Sequence, residues 1–331
     1  MSAADRGDTP VAEWLAGRDG ALTVERGGVT VSGLVRPGTR LARILAVDGP
    51  AAGLPAALGG FAEAAADQGC LTVRAELAEA DPAAAAFAAA GFQAFDPAVH
   101  AAQPTRPVQR LERRLDGGNA MRGLPYYSQS TAFTCGPVAL MLAGRRLVAE
   151  TRVDRRTEVA LWREATTVHA PAGPGGCDPF GMACAAVRLG LRTRLIASTE
   201  APFLLDRASD EAKRDLMRFV QAEFRAEVGE LGAAVEIREW THADLQTTLA
   251  AGGLALVLID QVVFHGRSAP HWVLVHGERD GTYAVDDPWV DAQDRETDTE
   301  RFDLPVPAEA LDRMGWYGVE PSRAVVLVQA A

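Results

Sequence analysis

Cysteine is scarce in this sequence: Cys70, Cys135, Cys177 and Cys184 are the only four in 331 residues, and no two form a CxxC pair. That excludes a disulfide-stapled fold and suits a reducing compartment. Cys177, Cys184 and His169 match no zinc spacing, so no metal site is expected there. Long apolar runs are missing too. The richest, residues 254–259, has the length of a strand, far short of the ~20 residues that cross a bilayer. The opening Met-Ser-Ala-Ala-Asp-Arg-Gly-Asp lacks the basic start and apolar core of a secretion signal. A cytoplasmic protein without membrane contact is the expectation. Positive charge is in deficit, with 33 Lys+Arg against 44 Asp+Glu and a formal net charge of −11. Such a balance gives no electrostatic reason to expect a nucleic-acid partner. No internal repeat is visible, and nothing calls for a cofactor.

The length leaves room for two ordinary domains. In the first half, residues 22–26 and 29–35 alternate like strands around Gly27-Gly28 and read as a hairpin. Strands at 43–47 and 71–75, a helix at 54–68 and an alanine-rich helix at 81–90 follow. Residues 101–120 mix proline, charge and glycine and read as a linker. Beyond it, helical text covers 135–142, an arginine-rich stretch with Val153, Val159, Leu161 and Trp162 as its buried side, 180–189, 206–231 and 243–251. Strands then follow at 254–259, 271–276, 282–285 and 323–329. Helices first and antiparallel strands afterwards make an α+β arrangement. The segment 278–303 carries ten carboxylates and reads as a solvated, mobile flap without the spacing of a calcium loop.

The chemistry centres on residues 124–142. An extended apolar segment enters a Ser/Thr-rich loop and then a helix that starts at Cys135. Backbone N–H groups at a helix start favour the thiolate, the nucleophilic form of cysteine. Pro137 is tolerated there because its missing N–H has no intrahelical partner. Six residues upstream, the amide of Gln129 and the backbone N–H of Cys135 can converge on one oxyanion. A cysteine nucleophile needs a base, and the base needs an orienting acceptor. His271, at a strand's mouth, lies 136 residues after Cys135, within the roughly 130–150 of papain-like enzymes. Asp287 ends the next strand, so two antiparallel strands joined at Gly281 bring it beside His271. His276 falls an odd number of positions from His271 and faces the other side of the sheet.

Gln129-x5-Cys135-Gly-Pro, His271-Trp-Val-Leu-Val and Asp287-Pro288 resemble the bacteriocin-processing cysteine peptidases, papain-like domains that cleave leader peptides after double glycine. A stand-alone subfamily, in which an acetyltransferase-like half precedes the peptidase-like half, is similar also at Trp162-Arg-Glu-Ala-Thr-Thr, Gly175-Gly-Cys-Asp-Pro-Phe-Gly and Ala269-Pro-His-Trp-Val. The resemblance implies a papain-like α+β domain at 121–331. In it a helix carrying Cys135 packs on an antiparallel sheet carrying His271 and Asp287, with Gln129 at the oxyanion. It also favours Asp287, just before Pro288, over Asp286. The usual members carry a transporter's membrane domain, absent here, so export is not implied. Residues 69–75 and 81–92 resemble the C-terminal part of a GNAT acetyltransferase. The phosphate-binding loop of that family is replaced by Val47-Asp-Gly-Pro-Ala-Ala-Gly-Leu-Pro, which has an aspartate and no arginine. Residues 1–100 are therefore expected to be a degenerate α/β GNAT-like domain that packs or docks a protein partner.

The expected activity is a cysteine peptidase or amidase acting on a peptide or small amide through a thioester. Transpeptidation or cyclisation by the same site, and a non-catalytic peptide-binding module, stay open. His265, Cys177, Trp272 and Trp289 are candidate substrate contacts.

Overall fold

The computed structural model describes residues 9–95, 108–117, 125–167 and 175–331. His169 and residues 101–107 and 118–120 of the expected linker lie outside them. The chain starts with a short helix, α1 (Val11–Leu15), followed by a hairpin of β1 (Ala21–Arg26) and β2 (Val29–Val35). Its two-residue turn, Gly27-Gly28, has φ of 63° and 75°, which glycine adopts without a Cβ penalty. β3 (Leu41–Asp48) leads into α2 (Leu54–Asp67), and this crossover returns the chain to β4 (Thr72–Ala78), parallel to β3. Leu54, Ala57, Leu58, Phe61, Ala62 and Ala65 recur at helical spacing and are buried on this sheet. After α3 (Ala84–Ala89), β5 (Gln93–Ala94) and β6 (Val108–Arg114) complete six strands in the order β1-β2-β3-β4-β6-β5.

The second half begins with α4 (Cys135–Leu147), α5 (Arg155–Ala165) and α6 (Pro179–Arg188), then β7 (Leu191–Ala197), α7 (Glu211–Glu230), β8 (Ala234–Ile237) and α8 (His242–Ala250). β9 (Leu254–Asp260), a single turn α9 (Val262–His265), β10 (Pro270–Arg279), β11 (Thr282–Asp286), β12 (Leu304–Pro307), α10 (Ala308–Met314) and β13 (Ala324–Ala330) follow. The seven strands run β12-β11-β10-β9-β13-β7-β8 and pair antiparallel, except β7 with β8. The sheet is buried on both faces, so β9 is apolar from Leu254 to Ile259. Leu254, Leu256 and Leu258 enter the core shared with α4 and α6, while Ala255, Val257 and Ile259 enter the one shared with α8 and α10. α4 is buried at every residue from Cys135 to Gly144, which explains its apolarity on all sides. Val159, expected on the buried side of α5, is 37% exposed; Glu158, Leu161 and Ala165 are buried instead. Among the described residues, no helix is long and apolar enough to cross a membrane.

Two expectations need correction. Residues 108–114 of the expected linker are strand β6, paired along its length with β4: Leu111 and Glu112 are buried, and the alternating charges are the partly covered side of a sheet. The acidic segment is likewise no solvated flap. Asp287, Asp291, Asp298 and Glu300 are buried, as are Thr299, Arg301 and Phe302. Cations of the first sheet neutralise this segment. Arg74 donates to the carbonyls of Thr299 at 2.9 Å and Phe302 at 2.7 Å, and Arg43 pairs with Glu300. Leu41 of β3 joins the core of the second sheet, and the backbone N–H of Arg40 donates to Pro305 O at 2.7 Å. The two sheets are therefore welded through the segment that follows β11.

Candidate active site

Cys135 opens α4 at the end of a loop ordered by one buried carboxylate. Glu158 of α5, fully buried, accepts from the backbone N–H of Ser130 at 2.7 Å and the Thr134 hydroxyl at 2.5 Å through Oε1, and from the Tyr127 hydroxyl at 2.8 Å through Oε2. The loop is tied equally to the end of β11: Gln129 N–H donates to Pro288 O at 2.8 Å, and the Tyr126 hydroxyl donates to Asp287 O at 2.7 Å. These bonds fix Gln129, Cys135 and Asp287 in one frame. Sequence reasoning missed Glu158. The signal was there, since 158, 161 and 165 share one helical face and a carboxylate on a buried face needs donors.

His271, at the start of β10, places Nε2 2.7 Å from Asp287 Oδ1. That leaves Nδ1 for the thiol, and the imidazole and Cys135 lie near enough to shift each other's protonation. Burial pushes the Cys135 thiol up. The charge and hydrogen bond of His271, with the backbone N–H groups of Trp272 and Gly136, outweigh it and leave the thiol below its ordinary value. Burial pushes His271 down, but the charges of Asp287 and of the thiolate carry it up to about 10. Asp287 is enclosed by donors. Oδ1 also accepts from Trp289 N–H at 3.0 Å, and Oδ2 accepts from Arg36 at 2.8 Å and Arg301 at 2.7 Å. Burial alone raises its pKa, yet His271, His265 and Arg36 hold it well below the usual carboxylate range. Arg36, 3% exposed, comes from the first sheet and gives its other donor to Glu300 O at 2.6 Å. Nothing in the sequence marked Arg36 or Arg301 as neighbours of the site.

The residues open into a cleft of about 400 Å³. Gln129, Cys177, Trp272 and Trp289 line it beside Cys135 and His271. The Gln129 Nε2 donates to Thr131 O at 2.7 Å, which orients the amide and leaves its second N–H free to donate.

The family pattern described as the Peptidase_C39 like family matches residues 124–329, well over half of the chain. The chain belongs to that family. A solved structure described as a candidate C39-like peptidase from Bacillus anthracis is 10% identical, covers 62% of this chain and 95% of its own, and superposes with a TM-score of 0.32. At that similarity it carries no argument about this chain. No match was found among curated proteins.

In this C39-like protein the competing assignments separate by geometry. His276 pairs with Asp286 at 3.2 Å and with Asp303 at 3.1 Å, away from Cys135, while Arg146 of α4 lies 3.4 Å from Asp286. His276, Asp286 and Asp303 present possible metal-ligand atoms within 4.8 Å of one another. Burial pushes the His276 imidazole down, but the charge of Asp286 outweighs it and raises its pKa, and Arg146 adds positive charge beside the same carboxylate. His265 departs from its expected place at the substrate. It ends α9, buried, with Nε2 3.7 Å from Asp287 Oδ2 and Nδ1 3.8 Å from Glu296, and it lines a separate hollow between the two sheets. Cys177 does reach the cleft, but burial and the neighbouring Cys135 thiolate hold its thiol well above the ordinary value. Trp272 is buried beneath α4 and donates its indole N–H to Cys177 O at 3.0 Å, so it serves as both core and cleft wall.

Proposed function

We propose that this protein is a cysteine peptidase or amidase. The observation that carries the reading is that Cys135 and His271 line one cleft, with the imidazole held by Asp287 at 2.7 Å. His271 Nδ1 takes the proton of Cys135, and the sulfur attacks an amide carbonyl, forming the C–S bond. The oxyanion is held by the Gln129 amide and by the Cys135 N–H, which has no intrahelical partner in the first turn. Protonated His271 then gives its proton to the nitrogen as the C–N bond breaks and the amine leaves. Water, deprotonated by His271, attacks the thioester and restores the thiol. An amine entering in place of water gives transpeptidation or cyclisation at the same site.

The residues 1–100 are read as a GNAT-like layer without acetyl-CoA chemistry. Support comes from the connection between β3 and α2, where an anion would need space. It is packed against the β1–β2 turn: a Cβ on Gly53 would lie 2.4 Å from Gly27 O.

Iodoacetamide alkylation of Cys135 against pH, read by intact mass in wild type and His271→Ala, tests the reading. Burial raises the pKa of the other thiols, Cys70 to about 11, Cys184 to about 12 and Cys177 well above its ordinary value. An inflection well below the free-thiol value of about 8.5, lost in the variant, is expected. An ordinary inflection in the wild type would overturn the reading and favour a peptide-binding module.

A further inference from the structure

The cleft carries a charge opposite to that of the protein. Among its described lining residues are Arg207, Lys213 and Arg267, and none is a carboxylate, in a chain whose formal net charge is −11. Two of the three cations belong to one wall. Leu204, Arg207, Lys213 and Met217 all line the cleft from the segment that joins β7 to α7 and from the first turns of α7. Leu204 is buried there at φ 62°, a strained conformation for a leucine, and such strain clusters at binding sites. Three of the carboxylates around this wall are committed elsewhere. Asp206 accepts from the Tyr317 hydroxyl at 2.8 Å, Asp210 caps α7 through the Lys213 backbone N–H at 2.8 Å, and Glu211 pairs with Arg214 and Arg218. Arg267, on the other side, is held by Asp291 at 2.6 Å. Lys213 is also the only lysine in the sequence; the other 32 of its 33 Lys+Arg are arginine. An ammonium on a flexible stem is a mobile point charge that can follow a substrate group, where a guanidinium demands a fixed geometry.

We propose that the cleft takes a substrate bearing a carboxylate, an acidic side chain or a chain terminus, and that Lys213 and Arg207 receive it while Cys135 attacks the amide. The inference rests on the catalytic reading for the identity of the attacking group, but the charge preference belongs to the wall. A cation pair in a concave, partly apolar site concentrates anionic ligands and repels cationic ones.

The experiment compares Cys135 alkylation by anionic iodoacetate with that by neutral iodoacetamide. The ratio of the two rates cancels the intrinsic reactivity of the thiol and leaves the field along its approach. In Lys213→Glu and Arg207→Glu the ratio is expected to drop about fivefold, the scale of a two-unit charge change across a solvated cleft. Added salt should lower it in the wild type, and Lys213→Arg should retain it. A ratio that neither the reversals nor salt changes would overturn the proposal while leaving the nucleophile intact. A Cys135 inert to both reagents would instead overturn the catalytic reading. Binding to the Cys135→Ala protein then decides, using rhodamine-labelled hexapeptide pools that differ only in Glu against Gln. Preference for the Glu pool, lost in Lys213→Glu, supports the carboxylate site, and equal affinity sinks it.

Discussion

Asparagine serves as the orienting residue in some Cys-His enzymes, so Asp287→Asn looks conservative. The geometry here argues otherwise. The four hydrogen-bond partners of the carboxylate are all donors: His271 Nε2–H and Trp289 N–H on Oδ1, Arg36 and Arg301 on Oδ2. An amide offers one acceptor and one donor. If its oxygen faces the guanidinium groups, the NH2 meets the imidazole and the Trp289 N–H; if it turns over, two buried arginines face a donor. No rotamer satisfies the set, and in either one two buried cations lose the carboxylate they share. Breaking a buried pair from one side costs about 3–5 kcal/mol, and an orphaned donor about 1–3 kcal/mol more. A loss of at least ~3 kcal/mol is therefore expected in urea unfolding followed by tryptophan fluorescence.

The same change acts on the thiol. Burial pushes His271 down, and the charge of Asp287 is the largest of the effects that carry it up to about 10. Without that charge the imidazole's pKa is expected to fall. Cys135 then loses the cation that holds its thiol down, and its alkylation inflection moves up toward or past the free-thiol value of about 8.5. A variant that unfolds at the wild-type urea midpoint and keeps the wild-type alkylation profile would refute both steps.

Arg36→Met removes one guanidinium from Asp287 and the donor from Glu300 O, with a stability loss of about 3 kcal/mol expected in urea. Because one less cation then opposes the imidazolium, the upper limit of the His271 titration should move to higher pH, a shift that loosened packing alone would not give. Glu158 predicts a contrast. Glu158→Gln can keep Oε1 for Ser130 and Thr134 and donate to the Tyr127 hydroxyl, which accepts as readily as it donates. It should retain Cys135 reactivity, whereas Glu158→Ala should lose most of it by releasing the loop. Stability should also fall on the alkaline side. A histidine raised from 6.5 to about 10 stabilises the fold fully below its unfolded value, and that contribution is lost as pH rises toward 10. Urea midpoints of wild type between pH 7 and 10 should show that decline, and His271→Ala should flatten it.

The residues that the sequence disclosed are those whose chemistry constrains local text. Cys135 opens a helix, Gln129 lies within reach in the preceding loop, His271 is on one strand and Asp287 directly follows its hairpin partner. Trp272 and Trp289 were legible as aromatic neighbours of those two. Residues whose role depends on long-range packing left no local mark. Arg36 is one arginine among many, on a strand end more than 250 positions before its partner, at a separation of 251. β6 was hidden by charge, since Arg110, Glu112 and Arg114 look solvated until β4 covers one side of the strand. The error over the acidic segment has the same cause. Ten carboxylates between 278 and 303 suggest repulsion and solvent, but several of the compensating cations lie in the other half of the chain.

That compensation explains why the two halves are one working unit. The carboxylate that orients His271 would be expensive to bury alone, and its partners are drawn from both sheets, Arg36 from the first and Arg301 from the second. The next turn of chain repeats the arrangement, with Glu300 on Arg43 and the carbonyls of Thr299 and Phe302 on Arg74, itself held by Glu112 of β6 at 3.0 Å. Docking the first sheet therefore does more than cover an apolar edge. It supplies part of the positive charge around the buried Asp287, and the ionised Asp287 in turn favours an imidazolium beside Cys135. On this argument the first sheet shapes the charge of the candidate site through electrostatics at a distance from Cys135.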